Sequence, residues 1–520
     1  MAESAPAPPN DQRDDDGAGA DSSSLPRPRS RAALGTALLA GLVGVAGSFA
    51  VSGNAPDFVV APVNSLLVDV LPGPVLTFSI LTFGHLGDLL GFALALALSV
   101  LALAIVVLVG IALGRRTGGA VTLVWTVYLG TWAGTTALTR APFRSLGAAV
   151  PMTLFVGLVA FGWLRAPGPV IDTDRRQLLV RVAGAVGFAG VAYAVGRRNP
   201  VAEPSRLSTI PAAQQAAIKS RLAGAESRSL DVPGLTGLVS GIDEFYEVDI
   251  DVIDPVVRAG DWTLSLTGAV ETERTLSYDD LTAMAPTHQF VTLRCVGDEL
   301  NGDLMDTALW TGVPFDVLLD EAGVTPDATY VTLRAADGYY EAFPLAALRD
   351  GLLAYGMNGR LLPRSHGHPA RALVPGHWGE INVKWLTEIE VGEAEATSYW
   401  EERGWHGTGP VKTVAKLWAV EHLGDGRVRL GGYAYAGTRG ISDVQVSLDG
   451  ADSWQSARLS DPLDDPDTWR QWAYEYRPPA HAHTALVRAV DGDGTVQPRE
   501  NASPFPSGPS GWVARTIQPE

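Results

Sequence analysis

Long apolar runs fill residues 31–198, whereas the rest of the chain alternates apolar and polar positions over short distances. A helix that crosses a bilayer needs about 20 consecutive apolar residues. The runs that reach this length predict an all-α membrane bundle of about five spanning helices. They cover 32–52, 87–113, 119–138, 144–165 and 177–196.

A further apolar run, 58–84, is interrupted by Pro62, Asp69, Pro72 and Pro74. Proline removes a backbone donor and breaks the interior of a helix. This run therefore predicts an interfacial or re-entrant segment, and a sixth span is the alternative.

The arginines beside the predicted spans fall mostly on one side of the membrane. They precede the first span, follow the second and separate the fourth from the fifth, whereas the loop 53–86 has no lysine or arginine. Because basic residues stay on the cytoplasmic side, the N-terminus is predicted to be cytoplasmic and the residues after 200 extracytoplasmic. The pattern indicates a multi-pass protein of the cell membrane. The arginines are Arg27, Arg29, Arg31, Arg115, Arg116, Arg165, Arg175 and Arg176.

Two polar features of the membrane half are candidates for function. Arg175 and Arg176, followed by two leucines and then Arg181, resemble a twin-arginine export motif, and an ordinary positive-inside flank is the alternative. His85 with Asp88 is a candidate proton or quinone site, since ionisable groups near a membrane are often functional. His85 is also the one histidine among the spans and their loops, so a haem with two histidine ligands is not expected there.

Shorter patterns divide the remainder of the chain. Residues 1–30 are rich in proline, aspartate and serine and predict a disordered tail, and 199–240 is predicted to be a linker with a short amphipathic helix. Between 241 and 400, strands with alternating apolar positions are mixed with short helices, which is an α+β pattern. From 412 to 520, regularly spaced strands with turn signals predict an immunoglobulin-like β-sandwich. The predicted fold class is therefore multi-domain.

Composition narrows the chemistry. The formal net charge of -18 argues against a nucleic-acid partner, because such proteins need a basic surface. Cys295 is the only cysteine of the 520 residues, so it cannot form an intramolecular disulfide or a CxxCH haem site. It is either a buried core cysteine, the usual state of a free one, or a single thiolate that acts as a nucleophile or a metal ligand.

Several motifs of the soluble half, in order and at matching spacing, resemble those of the sulfite oxidase family of molybdopterin enzymes. The resemblance implies a molybdopterin-binding domain over 241–400 and a C-terminal β-sandwich through which the family dimerises. A set of ordered motifs is more specific than any one alone. The motifs are LRCVG at 293–297, WTGVP at 310–314, ADGYYEAFP at 336–344, LAYGMNG at 353–359, HGHPARALVPG at 366–376, VKW at 383–385, and the run 432–454.

The resemblance implies a molybdenum–molybdopterin cofactor and a role for each matched residue. Cys295 would ligate molybdenum, since the two dithiolene sulfurs of the pterin leave one soft thiolate to be supplied. His366, Arg371 and Lys384 match positions that hold the pterin and its phosphate. Surface charge is the alternative reading of these three residues.

The resemblance also assigns the substrate side of the site. Tyr339 matches the family's active-site tyrosine, with Tyr340 as its rival, and Arg439 matches an arginine of the sandwich domain that helps to position the substrate. Three further matches are expected to line the cofactor channel, with core packing as the alternative. They are Trp310, Asn358 and His377.

The sequence differs from the family's pattern at the positions that would surround the substrate. The family encloses an oxyanion with several arginines, one of them shortly after the metal cysteine, where this chain has Asp298 and Glu299. The segment that enters the domain, 247–251, is acidic too. A dianion beside these groups would be repelled unless they point away. A neutral S-oxide or N-oxide, or a cationic substrate, therefore fits better than sulfite.

The predicted function is that of a membrane-anchored oxidoreductase that transfers an oxygen atom to or from a small substrate in a two-electron reaction. Electrons would pass through a separate carrier, a quinone or a cytochrome, because no haem is expected in this chain. One alternative is an S-oxide or N-oxide reductase on the same cofactor, acting for example on methionine sulfoxide. Another is a non-catalytic membrane sensor or binding protein that keeps the fold. A homodimer is implied by the resemblance alone.

Overall fold

The computed structural model describes residues 30–83, 85–117, 119–165, 171–199, 210 and 212–518. The chain separates into two compact units. One unit takes in Met1–Val51 and Leu98–Val195, and the other takes in Ser52–Ala97 and Gly196–Glu520. A helical N-terminal region is thus followed by a β-rich C-terminal region. The predicted tail lies outside the described residues apart from Ser30.

The described part of the N-terminal region is helical, and each predicted span lies on a helix of its own. The helices are α1 (Ser30–Ser52), α2 (Val60–Val70), α3 (Gly73–Phe83), α4 (His85–Thr117), α5 (Ala120–Thr139), α6 (Leu146–Arg165) and α7 (Ile171–Gly196). Among the residues described, three segments are long and apolar enough to cross a membrane. They are Ala32–Ser52, Leu89–Thr117 and Arg176–Gly196, and the apolar Leu146–Phe161 is shorter.

The interrupted run 58–84 is a pair of helices, α2 and α3, bent relative to each other by 114°. Leu71, which ends α2, has an extended backbone, as expected for the residue before a proline. The pair qualifies as one broken span or as a re-entrant loop. Both alternatives that the sequence offered therefore remain open.

Several predictions for the membrane half remain predictions. The side chains of His85, Asp88 and Arg175 lie outside the described ones, so the proton or quinone site and the export motif are not addressed. The same holds for the orientation of the helices and for the membrane in which they lie.

The first β-rich region contains two sheets and a few short helices. Its elements are β1 (Thr263–Gly268), β2 (Arg274–Ser277), α9 (Tyr278–Ala283), β3 (Thr287–Arg294), β4 (Met305–Pro314), α10 (Phe315–Ala322), β5 (Tyr330–Ala335), β6 (Tyr340–Pro344), α11 (Leu345–Arg349), β7 (Leu352–Met357), β8 (Arg360–Leu361), β9 (Arg371–Leu373) and β10 (Leu386–Gly392), after α8 (Ala212–Arg228). One sheet has the order β2–β1–β10–β5–β6, with β1 and β10 parallel. The other has the order β3–β4–β7–β8, and β9 also pairs with β7. Leu264 and Val331 of the first sheet pack against Phe315 and Leu319 of α10 in one apolar core.

The second β-rich region consists of two antiparallel sheets. Its strands are β11 (Val414–Ala415), β12 (Ala419–His422), β13 (Val428–Tyr435), β14 (Ile441–Ser447), β15 (Gln455–Ser456), β16 (Arg458–Leu459), β17 (Arg470–Tyr476), β18 (His483–Asp491) and β19 (Val513–Ile517). One sheet is β11–β13–β17–β16 with β12 beside β13, and the other is β15–β14–β18–β19. Leu430 and Trp472 of the first sheet share a core with Val444 and Val487 of the second. The immunoglobulin-like topology itself stays a prediction.

The described part of the predicted linker packs into the second unit. Ile218 of α8 lies in an apolar cluster with Tyr433 and Trp469 of the second β-rich region. The Gln215 side chain donates to the carbonyl of Gly359 in the first β-rich region (3.0 Å). Helix α8 therefore contacts both β-rich regions and fixes them to each other.

Candidate active site

Strand β3 ends at Arg294 and delivers Cys295 to a cavity of about 140 Å³. The backbone N–H of Cys295 donates to the Leu304 carbonyl (3.0 Å), which closes the loop between β3 and β4. Five of the residues predicted to form the site line this cavity, although they come from distant parts of the chain. They are Cys295, Tyr339, His366, Arg371 and Lys384.

The Cys295 thiol is buried and is not activated as a free nucleophile. Burial raises its pKa to about 12, whereas a free nucleophile needs a lowered pKa and a metal ligand is deprotonated by the metal that it binds. Within the described residues, no group of three or more His, Cys, Asp or Glu side chains could hold a metal ion. A metal bound by Cys295 would therefore have to take most of its ligands from a bound cofactor.

Arg371 and Lys384 make the cavity suitable for an anionic group. The buried Arg371 guanidinium donates to the carbonyls of His366 (3.4 Å) and Asn382 (2.9 Å), but its Nε has no partner in the part of the chain described. The Lys384 ammonium pairs with the Asp249 carboxylate at 2.5 Å. A buried donor without a partner is costly, so an acceptor on a ligand would stabilise Arg371. A single thiol beside such cations fits the molybdopterin expected from the motifs.

His366 contributes a neutral ring to the cavity. Burial lowers the pKa of His366 to about 4, and its Nε2 lies 2.9 Å from the Ile242 carbonyl. Because a carbonyl can only accept, Nε2 carries the hydrogen and Nδ1 remains an acceptor. His366 therefore supports a ligand by hydrogen bonding and not by charge.

Four other predicted residues do not line the cavity. Trp310 is buried beneath Arg371, whose guanidinium carbon lies 5.2 Å from the ring centroid. Asn358 bonds to backbone groups of two neighbouring segments at 2.9 Å, and Arg439 donates to the Asp491 carboxylate (3.2 Å). Core packing is the alternative that the sequence left open for Trp310, Asn358 and His377, and the contacts of Trp310 and Asn358 are of this kind. The roles of all four residues stay predictions. The four residues are Trp310, Asn358, His377 and Arg439.

Tyr339, and not Tyr340, lines the cavity, and it rests on a buried pair of carboxyl groups. The Tyr339 hydroxyl donates to Glu341 Oε1 (2.7 Å). Burial raises the pKa of Glu341 to about 8, and burial and the neighbouring Glu341 raise the pKa of Glu380 well above its usual range. Glu341 Oε2 and both Glu380 oxygens have no hydrogen-bond partner among the described residues. Sequence reasoning missed this pair, although a glutamate at an inward-facing position of β6 was an available signal.

Asp298 lies at the centre of a buried charge cluster, directly behind Cys295 and outside the cavity lining. Its Oδ2 is 3.2 Å from Arg294 Nε and 2.5 Å from Lys416 Nζ, and all three side chains are fully buried. Burial lowers the pKa of Lys416 to about 8, a shift that the Asp298 carboxylate opposes. Glu299 is exposed and lies outside the cavity lining as well. The repulsion of a dianion that the sequence suggested for Asp298 and Glu299 therefore does not apply.

Other carboxyl groups do line the cavity. Asp249, from the acidic segment that the sequence analysis singled out, neutralises Lys384. Asp337 and Glu380 lie in the same wall, and burial raises the pKa of Asp337 to about 6. In this cavity Lys384 is thus paired, burial raises the pKa of Glu380 and favours its neutral form, and Arg371 keeps an Nε that is unpartnered among the described residues.

Comparisons with known proteins cover the second unit. Family models described as an oxidoreductase molybdopterin binding domain and a Mo-co oxidoreductase dimerisation domain match residues 251–400 and 411–504. The mitochondrial sulfite oxidase of Mus musculus is 31% identical over 275 residues, which cover 43% of this chain and 50% of that protein. The sulfite oxidase of Arabidopsis thaliana is 25% identical over 327 residues, which cover 51% of this chain and 83% of that protein.

Among solved structures, the sulfane dehydrogenase SoxCD from Paracoccus pantotrophus is similar with a TM-score of 0.49 and 23% identity. The similarity covers 55% of this chain and 84% of that one. The chain matches only about half the length of the mouse relative.

We expect Asp298→Ala to lower the free energy of unfolding by about 3–5 kcal/mol, because it leaves two buried cations without their counter-charge. Denaturant unfolding of the detergent-solubilised protein, followed by tryptophan fluorescence, measures this change. The exposed neighbour supplies the control, since Glu299→Ala should change stability by less than about 0.5 kcal/mol. Equal stabilities of the two variants would contradict the role of the cluster.

Glu341→Gln should stabilise the fold more at pH 8 than at pH 5. The folded-state pKa of Glu341, about 8, lies above its ordinary value of 4.5. The folded state therefore binds more protons than the unfolded state between these values, and the wild type loses stability as the pH rises. The glutamine variant does not carry this penalty. The measured quantity is the thermal midpoint of Glu341→Gln minus that of the wild type. This difference should be larger at pH 8 than at pH 5 by at least about 2 °C.

The exposed Glu393→Gln is the control for this measurement. Its difference from the wild type should be the same at both pH values. A Glu341→Gln difference that also does not depend on pH would show that Glu341 is ordinarily ionised.

Proposed function

Because the chain belongs to the sulfite oxidase family of molybdopterin oxidoreductases, we propose that it catalyses two-electron oxygen-atom transfer on a small substrate. The observation that carries the proposal is the cavity in which the only thiol of the chain meets Tyr339, His366, Arg371 and Lys384. These residues come from separate motifs and have no reason to converge if they only fill a core or coat a surface.

Different residues of the cavity would bind different parts of the molybdenum–molybdopterin cofactor. Cys295 would provide the protein thiolate, and Arg371 and Lys384 would bind the anionic parts of the cofactor. The neutral His366 would accept a hydrogen bond at Nδ1 beside them. When bound, the cofactor supplies the two-electron redox chemistry of oxygen transfer. Tyr339, held by Glu341, presents its ring and hydroxyl at the substrate side of the cavity.

The charges of the cavity favour a second candidate, reduction of a neutral S-oxide or N-oxide, over oxidation of sulfite. Lys384 is paired with Asp249. Arg294 and Arg439, which do not line the cavity, are paired with Asp298 and Asp491. No cation lining the cavity is therefore left for a dianionic substrate once the cofactor is bound. A neutral oxide needs only hydrogen bonding at its oxygen.

We further propose that the N-terminal helices form a membrane bundle that anchors an extracytoplasmic catalytic domain over 241–400. The segment 199–240 would join the two, and an immunoglobulin-like domain over 412–520 would mediate a homodimer. A separate electron carrier, a quinone or a cytochrome, completes the cycle. The alternative of a non-catalytic sensor or binding protein predicts a protein without molybdenum.

Cys295→Ser should abolish turnover while the fold survives. Serine is nearly the same size but is a hard ligand, so the metal site loses its soft donor. Activity with an artificial electron carrier should fall by about a thousandfold or more. Circular dichroism and the thermal midpoint of the variant should stay close to the wild type. Retained turnover would refute the ligand assignment.

A panel of substrates separates the two candidate functions. Methionine sulfoxide and trimethylamine N-oxide, tested with a reduced artificial donor, should show kcat/KM values at least about tenfold above that of sulfite tested with an oxidised acceptor. Both oxides have no net charge and need no free cation at the reacting oxygen, whereas sulfite does. Faster turnover of sulfite would reverse the choice between the two functions.

A further inference from the structure

The bent helix pair α2–α3, called here the hairpin, packs against the rim of the cofactor cavity. The Ser65 hydroxyl of α2 donates to the Asp251 carboxylate at 2.9 and 3.0 Å. Asp251 directly follows Asp249 and Ile250, which line the cavity. One side of the hairpin is therefore fixed to the acidic segment that borders the site.

A second link runs from the start of α3 to Tyr339. A Cβ atom on Gly73 would lie 2.9 Å from the Cα of Arg403, so the two backbones are in direct contact. The Arg403 guanidinium stacks on Tyr399 at 3.6 Å from the ring centroid, and the Tyr399 ring lies 5.4 Å from that of Tyr339. The hairpin thus reaches the active-site tyrosine through two layers of side chains.

A third link joins the cavity to the chain segment just before the hairpin. The Arg364 guanidinium donates to the Asn54 carbonyl (2.9 Å). The carbonyl of Arg364 accepts from the indole of Trp385 (2.8 Å), and Trp385 lines the cavity. Three separate contacts therefore hold the hairpin and the rim in one geometry.

The other side of the hairpin is apolar and exposed. Val70 is 72% exposed and Phe78 is 61% exposed, and Leu66 and Val75 are exposed as well. An apolar patch of this kind is rare on a surface that faces water. No lysine or arginine occurs between residues 53 and 86, and α4 follows the hairpin with the segment Leu89–Thr117, which is long and apolar enough to cross a bilayer. Lipid is the partner that matches an apolar surface continuous with such a helix. The exposed Asp69 of α2 places this surface at the polar edge of the bilayer and not in its hydrocarbon core.

We propose that the hairpin lies in the bilayer interface and holds the adjoining edge of the cofactor cavity at the membrane surface. A carrier dissolved in the bilayer would reach this edge without a second protein, so we assign the electron partner to the lipid-soluble quinone class. This step rests on the proposed function. The electrons and protons balance: a quinol that becomes a quinone releases two electrons and two protons, and reduction of an S-oxide to a sulfide and water consumes the same number.

The position of the hairpin can be measured on the cofactor-loaded full chain in lipid nanodiscs. Val70→Cys and Phe78→Cys are labelled with an environment-sensitive nitrobenzoxadiazole dye. We expect blue-shifted emission that brominated lipids quench. The control Val496→Cys replaces a valine that is 41% exposed in the β-rich region, and its dye should remain in water. Unsubstituted protein treated in the same way reports any labelling of Cys295.

Two outcomes of this measurement would overturn the proposal. Dyes at 70 and 78 that behave like the dye at 496 would place the hairpin in water. A blue shift without quenching by the lipids would place it against another protein.

The carrier preference is tested with aspartate on the exposed face. Phe78→Asp should reduce turnover with decylubiquinol by about tenfold and leave turnover with reduced benzyl viologen unchanged. Val496→Asp should change neither. Equal turnover of Phe78→Asp and wild type with the quinol would contradict the inference. Absence of turnover with viologen in the wild type would instead count against the proposed function, and the dye measurement would still decide the position of the hairpin.

Discussion

The fully buried carboxylate of Asp298 is the contact on which the second unit depends most. It neutralises Arg294, the last residue of β3, and Lys416, which lies between β11 and β12 of the other β-rich region. A buried charge must be paired or it costs several kcal/mol, so the three side chains bind the two regions to each other. Cys295 follows Arg294 directly, and the cluster therefore also sets where the thiol enters the cavity. Asp298 thus has a structural role. It does not line the cavity, so the charge of the cavity depends on other residues.

The residues of the cavity suit a cofactor that is itself anionic and supplies sulfur ligands to the metal. One thiol, a neutral imidazole and a guanidinium with an unpartnered Nε cannot make a complete metal site from protein side chains, but they complement a sulfur-bearing anionic cofactor. The Tyr339 hydroxyl donates to Glu341, and burial raises the pKa of both Glu341 and Glu380. This arrangement is the basis of the proposed preference for an uncharged oxide over sulfite.

The sequence predicted the parts of the molecule that local pattern determines. Hydropathy located the helices of the N-terminal region, and ordered motifs identified Cys295, Tyr339, His366, Arg371 and Lys384 before their convergence was known. It could not predict that Asp298 finds a partner in Lys416, far along the chain, or that Arg439 is engaged by Asp491. It also missed the pairing of Glu341 with Glu380. These outcomes depend on contacts between distant segments, and neither periodicity nor motif spacing carries that information.

The central claim is that Cys295 is the single protein thiolate on a molybdenum centre. X-ray absorption at the molybdenum edge of the purified full chain, made in a host that produces the cofactor, tests it most directly. The account predicts that molybdenum is present in the wild type and that Cys295→Ser, where it retains the metal, shows one sulfur neighbour fewer. Absence of molybdenum from the wild type, or the same number of sulfur neighbours in both proteins, would contradict the account.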